Sequence, residues 1–381
     1  MTQEEYRTAT DEVIYLAACA VNGTVPDKDR VAEMNLDRVF AIAERHMIAA
    51  AVGMALYSVG IRDHRFIQVV SKAQRKNALL DADRLAMCAR LEQAGIWYAP
   101  LKGAVLKELY PQYGMREMAD NDILIDPERA EDVKTVMESL GFSTIHFGGG
   151  CHDIYRKPPV INFEVHTALF SPGHGEKVYR YYRDVKNRLV KDEENGYGYH
   201  FTAEDLYIYM TVHEHKHYAN SGTGLRSLLD VYVFLKKNGL SLDFSYIEAE
   251  IEKLGIEAFE QQNRSLAMKL FRGDSLTDED KEMLEYVTRS GAYGIVSYHV
   301  ENSIQKLGGG TKGKLRYFFR RMFPPMEAIR IYYPIVYKYK ILVPFLFLYR
   351  LGKGLLHHRS RIRSELRALM KKRIQRSGGS S

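Results

Sequence analysis

Ala119-Asp120-Asn121-Asp122-Ile123-Leu124-Ile125 alternates as a strand requires and carries two carboxylates at i and i+2. Successive side chains of a strand point to opposite faces, so Asp120 and Asp122 project together while Asn121, Ile123 and Ile125 face the other way. Two carboxylates so placed can grip one hard cation. Upstream, Leu101-Lys102-Gly103-Ala104 supplies a glycine turn; downstream, Ile161-Asn162-Phe163-Glu164-Val165-His166 supplies a third carboxylate on another strand-forming run. If the strand of Glu164 lies beside that of the aspartates, a third oxygen ligand joins them. Two Mg²⁺ ions roughly 3.5 to 4 Å apart then become feasible. The order of these pieces suits two-metal phosphoryl chemistry.

Working outward, Ile96-Trp97-Tyr98-Ala99-Pro100-Leu101 is short, apolar and bounded by breakers, which predicts a strand entering the Lys102-Gly103 turn, with a helix to Tyr110 after it. Asp126-Pro127 opens a further helix through Val133 and Leu140 that stops at Gly141. Residues 142–147 and 154–157, separated by three glycines, read as a hairpin, and 160–166 as the last strand. Strand, helix, strand, helix and three strands make an α+β domain with a mixed sheet, expected over 95–200. Helical spacing of Val13, Leu16, Ala17 and Ala20, and of Met34, Val39, Ile42, Ile48 and Val52, predicts a helical lead-in over 1–94. Helices return from Thr202, giving a helical domain over 201–306. Leu307 to Gly313 reads as a linker into a basic, aromatic-rich tail over 307–376, and 377–381 as a flexible Gly/Ser end.

The chain of 381 residues, 46% hydrophobic, can bury a substantial core. Its three cysteines, Cys19, Cys88 and Cys151, lack metal-like pair spacing and fit a reducing cytoplasm. The N-terminal residues carry no basic segment followed by an apolar run, so no secretory signal is expected. The net charge of +6 conceals a division. Of 54 Lys and Arg and 48 Asp and Glu, 18 and two fall between 312 and 376, leaving 36 against 46 elsewhere. That asymmetry argues for an anionic partner of the tail: nucleic acid, lipid headgroups or acidic protein. The longest uncharged run in the tail, Ile341 to Tyr349, is about 9 residues, short of the roughly 20 that span a bilayer. Ile362, Leu366, Leu369, Met370 and Ile374 form a helical stripe flanked by Arg359, Arg363, Arg367, Lys371 and Arg373. The pattern suits a helix lying on an anionic membrane surface, which would place the protein at the inner face of the membrane, or packing within the protein; the Leu- and Phe-rich clusters disfavour nucleic acid.

Lys102-Gly103, Tyr110-Pro111, Arg116, Asp120, Asp122, Glu164 and His166 together resemble the nucleotidyltransferase superfold of DNA polymerase beta and the aminoglycoside nucleotidyltransferases. They are more closely similar to a family of poorly characterised bacterial nucleotidyltransferases. The resemblance runs for about 130 residues, from Lys102 to Asp230. One departure is that the superfold commonly has Gly-Ser or Gly-Gly in its first turn, where this chain has Gly103-Ala104. The phosphate contact of the missing hydroxyl would pass to backbone N–H groups or to Lys102.

The resemblance implies a cytoplasmic nucleotidyltransferase that moves a nucleoside monophosphate from a nucleoside triphosphate, with ATP the expected donor, to a small-molecule or surface-associated acceptor. Asp120, Asp122 and Glu164 would hold Mg²⁺, and Glu164 would also bind or deprotonate the acceptor hydroxyl or amine. Gly103 and Ala104 would let phosphates approach backbone N–H groups, with Lys102 and Arg116 supplying positive charge. A solvated lysine and an ordinary salt bridge are the bland alternatives for those two cations. His166 would touch substrate or order the glutamate. His213 and His217, with Asp230, would pack the helical domain against the cleft and contact an acceptor. Two other readings stay open: a nucleotidyltransferase-fold binding protein without turnover, and a zinc hydrolase using His213-Glu214-x-x-His217, whose spacing puts two histidines one helical turn apart.

Overall fold

A computed structural model describes residues 1–324, 326, 329–330, 333–357, 365, 367 and 369. The described chain is mixed α and β. Helices α1 (Gln3–Asn22), α2 (Lys28–Ala32), α3 (Leu36–Arg45), α4 (Ala49–Ser58) and α5 (His64–Ala94) lead into strand β1 (Tyr98–Leu101). The short helix α6 (Gly103–Leu106) follows, then β2 (Asn121–Ile125), α7 (Ala130–Ser139), β3 (Ser143–His146), β4 (His152–Lys157) and β5 (Ile161–His166). After α8 (Glu176–Tyr182) come β6 (Leu189–Lys191) and β7 (Tyr199–Phe201). Helices α9 (Ala203–Tyr218), α10 (Leu225–Asn238), α11 (Phe244–Leu254), α12 (Glu257–Arg272) and α13 (Asp278–Ser290) complete this region.

The five-stranded sheet has the order β1-β2-β5-β4-β3. Strand β2 runs antiparallel to β1 and parallel to β5, and the outer pairs are antiparallel. One face is apolar. Ile123 and Ile125 of β2, Phe163 and Val165 of β5 and Tyr155 of β4 pack against Leu80, Met87 and Leu91 of α5 and Val133 and Met137 of α7. Each such side chain taken from water contributes about 1.5–3 kcal/mol, so this face fixes the strand register. Asn121 points the same way, and its amide donates to the Leu80 carbonyl at 2.8 Å, which satisfies a buried polar group and ties β2 to α5. The other face is left to the polar residues.

Local signals account for the element ends. Asp63 caps α5 by accepting the Arg65 N–H, and Gly95 ends it in the left-handed conformation. The two-stranded β6-β7 sheet was not expected from sequence, since three-residue strands carry no readable alternation.

The chain divides into two compact units, residues 1–216 with 224–292 and residues 217–223 with 293–381. The helical lead-in shares a core with the later helices, because α1 packs on α4 and also on α12. In the second unit, α14 (Val296–Lys306) and α15 (Gly310–Met322) pack around Val300, Ile304 and Tyr317. The expected linker at 307–313 is instead a tight turn and the first turn of α15: Gly308 and Gly309 take positive φ, and the Gly309 N–H returns to the Ile304 carbonyl at 2.9 Å. Helices Pro334–Lys338 and Val343–His357 follow. Among the described residues no helix is long and apolar enough to cross a membrane. Most of the expected 359–374 stripe, Tyr332 and the 377–381 end lie outside the described residues.

Candidate functional site

Strand pairing assembles the polar face. Asp122 lies directly beside Glu164 across the parallel β2/β5 pair, and Leu124 beside His166. In the antiparallel β4/β5 pair His152 stands opposite His166. Since residues at i and i+2 share a face, Asp122, Glu164, His166 and His152 project from the sheet on the side opposite the apolar core. Leu101 pairs with Asp122, so the next residue, Lys102, reaches the same carboxylate. Its ammonium donates to Asp122 Oδ1 at 2.8 Å.

Asp122 is 7% exposed and its Oδ1 also meets His166 Nε2 at 2.8 Å. An ionised carboxylate only accepts, so Nε2 carries the proton and Nδ1 does not. That buried Nδ1 has no hydrogen-bond partner among the described residues. Burial opposes the charge of Asp122, but Lys102 and His166 outweigh it and hold the carboxyl far below the usual carboxylate range. Burial also opposes the Lys102 ammonium, yet Tyr209, Asp122 and Glu164 raise its pKa. His166 and His152 are both held below the usual imidazole value, chiefly by burial, and so are neutral near pH 7.

Asp120 sits one residue before β2 and is half-buried. Its carboxyl is pushed up to about 6 by burial and by the negative charges of Asp122 and Glu164. Three carboxylates therefore repel one another with one lysine ion-paired among them. Glu164 Oε2 lies 3.8 Å from His152 Nε2 and 3.8 Å from His166 Nε2. The ligand atoms of His152, Glu164 and His166 lie within 4.8 Å of one another, a spacing able to hold a metal ion.

The turn after β1 is strained at Lys102, whose φ of +47° favours glycine. Gly103 itself has ordinary φ and is required by close approach: a Cβ there would stand 2.7 Å from Arg116 Nη1 and 2.8 Å from Met118 Cε. Gly103 and Ala104 are buried in α6, a single turn. Arg116 is committed elsewhere. Its Nε and Nη2 hold both oxygens of Asp230 on α10 at 2.8 Å, while the Tyr110 hydroxyl donates to the same aspartate at 2.7 Å. This buried bidentate pair fastens α10 beneath the turn.

His213 lies on α9, its ring 6.2 Å from that of Tyr209. His217 belongs to the second unit, where its carbonyl accepts the Asn220, Ser221 and Gly222 N–H groups. No group of three potential metal ligands forms around these histidines among the described residues.

Sequence reasoning missed three neighbours of the carboxylates. His152 was left outside the strand expected at 154–157; carrying its alternation back to the glycine run finds it. Tyr209 is 1% exposed, and its phenol is raised by burial and, against the opposing effect of Lys102, by Asp122 and Glu164. Lys216 is pushed down by burial and by Lys102, while Glu164 and Asp122 draw it upward. Tyr209, His213 and Lys216 follow i, i+4, i+7 spacing on one helix face, a signal masked by the zinc-like histidine string. Lys76, which donates to the Ala119 carbonyl at 2.7 Å, and Arg226 also act on Asp120 or its flank. A surface cavity bounded by Arg180, Arg188, Asp205 and Tyr246 shares no residue with the carboxylates, and Arg180 and Arg188 are already paired with Glu176 and Glu250.

No curated protein matches the chain. A solved structure of an antigenic nucleotidyltransferase-like protein from Paracoccidioides brasiliensis is similar at 16% identity, covering 51% of this chain and 92% of that one, with a TM-score of 0.32. Residues 32–272, more than half of the chain, match the model of a family described as uncharacterised nucleotidyltransferase. The chain belongs to that nucleotidyltransferase family.

Proposed function

We propose that this chain moves a nucleoside monophosphate from a nucleoside triphosphate, with ATP the expected donor, to a hydroxyl or amine of a small-molecule or surface-associated acceptor. The observation that carries the reading is the direct pairing of Asp122 with Glu164 on parallel strands, with Asp120 crowded against both. Such a set of oxygen donors, mutually repelling and partly open to solvent, fits a divalent cation, Mg²⁺ being the expected one at Asp120 and Asp122. When bound, the cation would neutralise triphosphate charge.

The residues then take separate parts. Lys102 keeps its proton and offers positive charge beside Asp122, and Lys216 offers more from α9. Glu164, at 29% side-chain exposure, accepts the proton of the acceptor hydroxyl or amine. The acceptor atom bonds to the α-phosphorus, the bond to the bridging oxygen breaks, and pyrophosphate departs with the electron pair. His166 orients Asp122. The Arg116–Asp230 pair supports the turn and leaves the leaving group to the lysines.

The second unit supports a surface-associated acceptor. Leu315, Phe319, Phe323, Ile341 and Phe345 are exposed, among basic residues such as Lys314, Arg320 and Lys340. Apolar and cationic groups so interleaved fit an anionic membrane surface at the cytoplasmic side. Binding without turnover remains the rival. Melting the protein with each of the four triphosphates, with and without Mg²⁺, tests the reading. Cation-dependent stabilisation by a triphosphate, lost in Asp122→Ala, is expected; stabilisation that ignores both the cation and Asp122 refutes it.

A further inference from the structure

The polar face holds two kinds of donor. Asp120 and Asp122 offer oxygen alone, whereas Glu164 stands between two imidazoles: His152 Nε2 and His166 Nε2 each lie 3.8 Å from its Oε2. Asp122 Oδ1 lies 2.8 Å from His166 Nε2 but is held by the Lys102 ammonium, also at 2.8 Å, and stands outside this group. Ligands about 2.1 Å from a common ion stand roughly 3.0 to 3.4 Å apart in octahedral or tetrahedral arrangements, so the two 3.8 Å spacings need a small contraction and the two imidazoles, which lie within 4.8 Å of each other, a larger one. The donors come from neighbouring positions on the directly paired strands β4 and β5, and rigid strands hold such sites well. His166 is nearly buried at 6% side-chain exposure, while His152 and Glu164, at 37% and 29%, leave the cluster open to ions from solvent.

We propose that His152, Glu164 and His166 bind a first-row transition ion of the zinc and cobalt kind in preference to Mg²⁺, with solvent or substrate filling the remaining positions. Imidazole suits borderline transition ions, whereas Mg²⁺ favours oxygen and keeps its waters. His166 Nε2 donates to Asp122; to ligate an ion it would give up that hydrogen bond and carry its ring proton on Nδ1, where a water would have to accept it. Mg²⁺ keeps the oxygen side at Asp120, so the centre becomes mixed. The inference rests on the proposed transfer reading only in assigning Glu164 to the same centre; ion binding itself is measured without nucleotide.

The full chain, stripped with chelator, is titrated with Co²⁺ and followed by visible absorption, then challenged with Zn²⁺ and Mg²⁺. One equivalent of Co²⁺ should bind, yield to one equivalent of Zn²⁺ and survive an excess of Mg²⁺ of about 100-fold. His152→Ala and Glu164→Gln should each weaken binding by about 10-fold or more while melting as cooperatively as the parent chain. Both positions are partly exposed, so neither change opens the core. Displacement of Co²⁺ by comparable Mg²⁺, or a signal lost in His213→Ala but kept in His152→Ala, overturns the proposal. Mg²⁺-dependent pyrophosphate release by a chain that binds no Co²⁺ sinks it while sparing the transfer reading. Cobalt held through His152 in a protein without turnover supports it and removes the transfer reading instead.

Discussion

Asp120→Asn should stabilise the folded chain near pH 7.5 while removing its cation-dependent nucleotide binding. The Asp120 carboxyl titrates at about 6 when folded, against 3.8 ordinarily, because burial and the charges of Asp122 and Glu164 oppose its ionisation. Between those values the folded chain keeps a proton that the unfolded chain has released. Stability therefore falls as pH rises through this window; the cost is absent below the unfolded value and complete above the folded one. The rise from 3.8 to about 6 corresponds to about 3 kcal/mol. Asparagine keeps the shape and removes the charge, so a gain of about 1–3 kcal/mol is expected at neutral pH, shrinking towards zero near pH 4. Urea unfolding of the cation-free proteins across that range measures it. Adding a divalent cation should narrow the difference, because the cation binds the wild-type carboxylates more tightly. A variant less stable than wild type at every pH, or a difference that does not change with pH, would refute the reasoning.

Lys102 and Arg116 give two further tests. Lys102→Gly and Lys102→Ala both lose the ion pair with Asp122, but only alanine keeps a Cβ at φ +47°, so the glycine variant should be the more stable by about 1 kcal/mol in urea unfolding. Arg116→Ala leaves the Asp230 carboxylate buried without its bidentate partner and should cost about 3–5 kcal/mol by the same measurement, with Arg116→Lys recovering only part of it.

Much of the sheet is legible because burial writes itself into alternation. Ile123, Ile125, Phe163 and Val165 face α5 and α7, which forces Asp122, Glu164 and His166 to the other side. The parallel pairing of Asp122 with Glu164 was legible only as a condition, since 41 residues of α7 and a hairpin lie between them and nothing local fixes which strand is the neighbour. The partner of Arg116 was hidden for the same reason: Asp230 is 114 residues away on α10. The strain at Lys102 also has no sequence signal, because the residue beside it is the glycine that such a conformation would ordinarily recruit. His152 lay one alternation step beyond a strand drawn too short.

The central claim is that Asp120, Asp122 and Glu164 serve one cation-dependent transfer centre. Supplying the purified chain with α-labelled nucleoside triphosphates, Mg²⁺ and a pool of small hydroxyl- and amine-bearing molecules tests it most directly. The account predicts label on an acceptor with matching release of pyrophosphate, stopped by chelator and reduced by about 100-fold or more in Asp122→Ala. Label transfer that persists at the parental rate in Asp122→Ala, or nucleotide that binds tightly and is never cleaved, would contradict it.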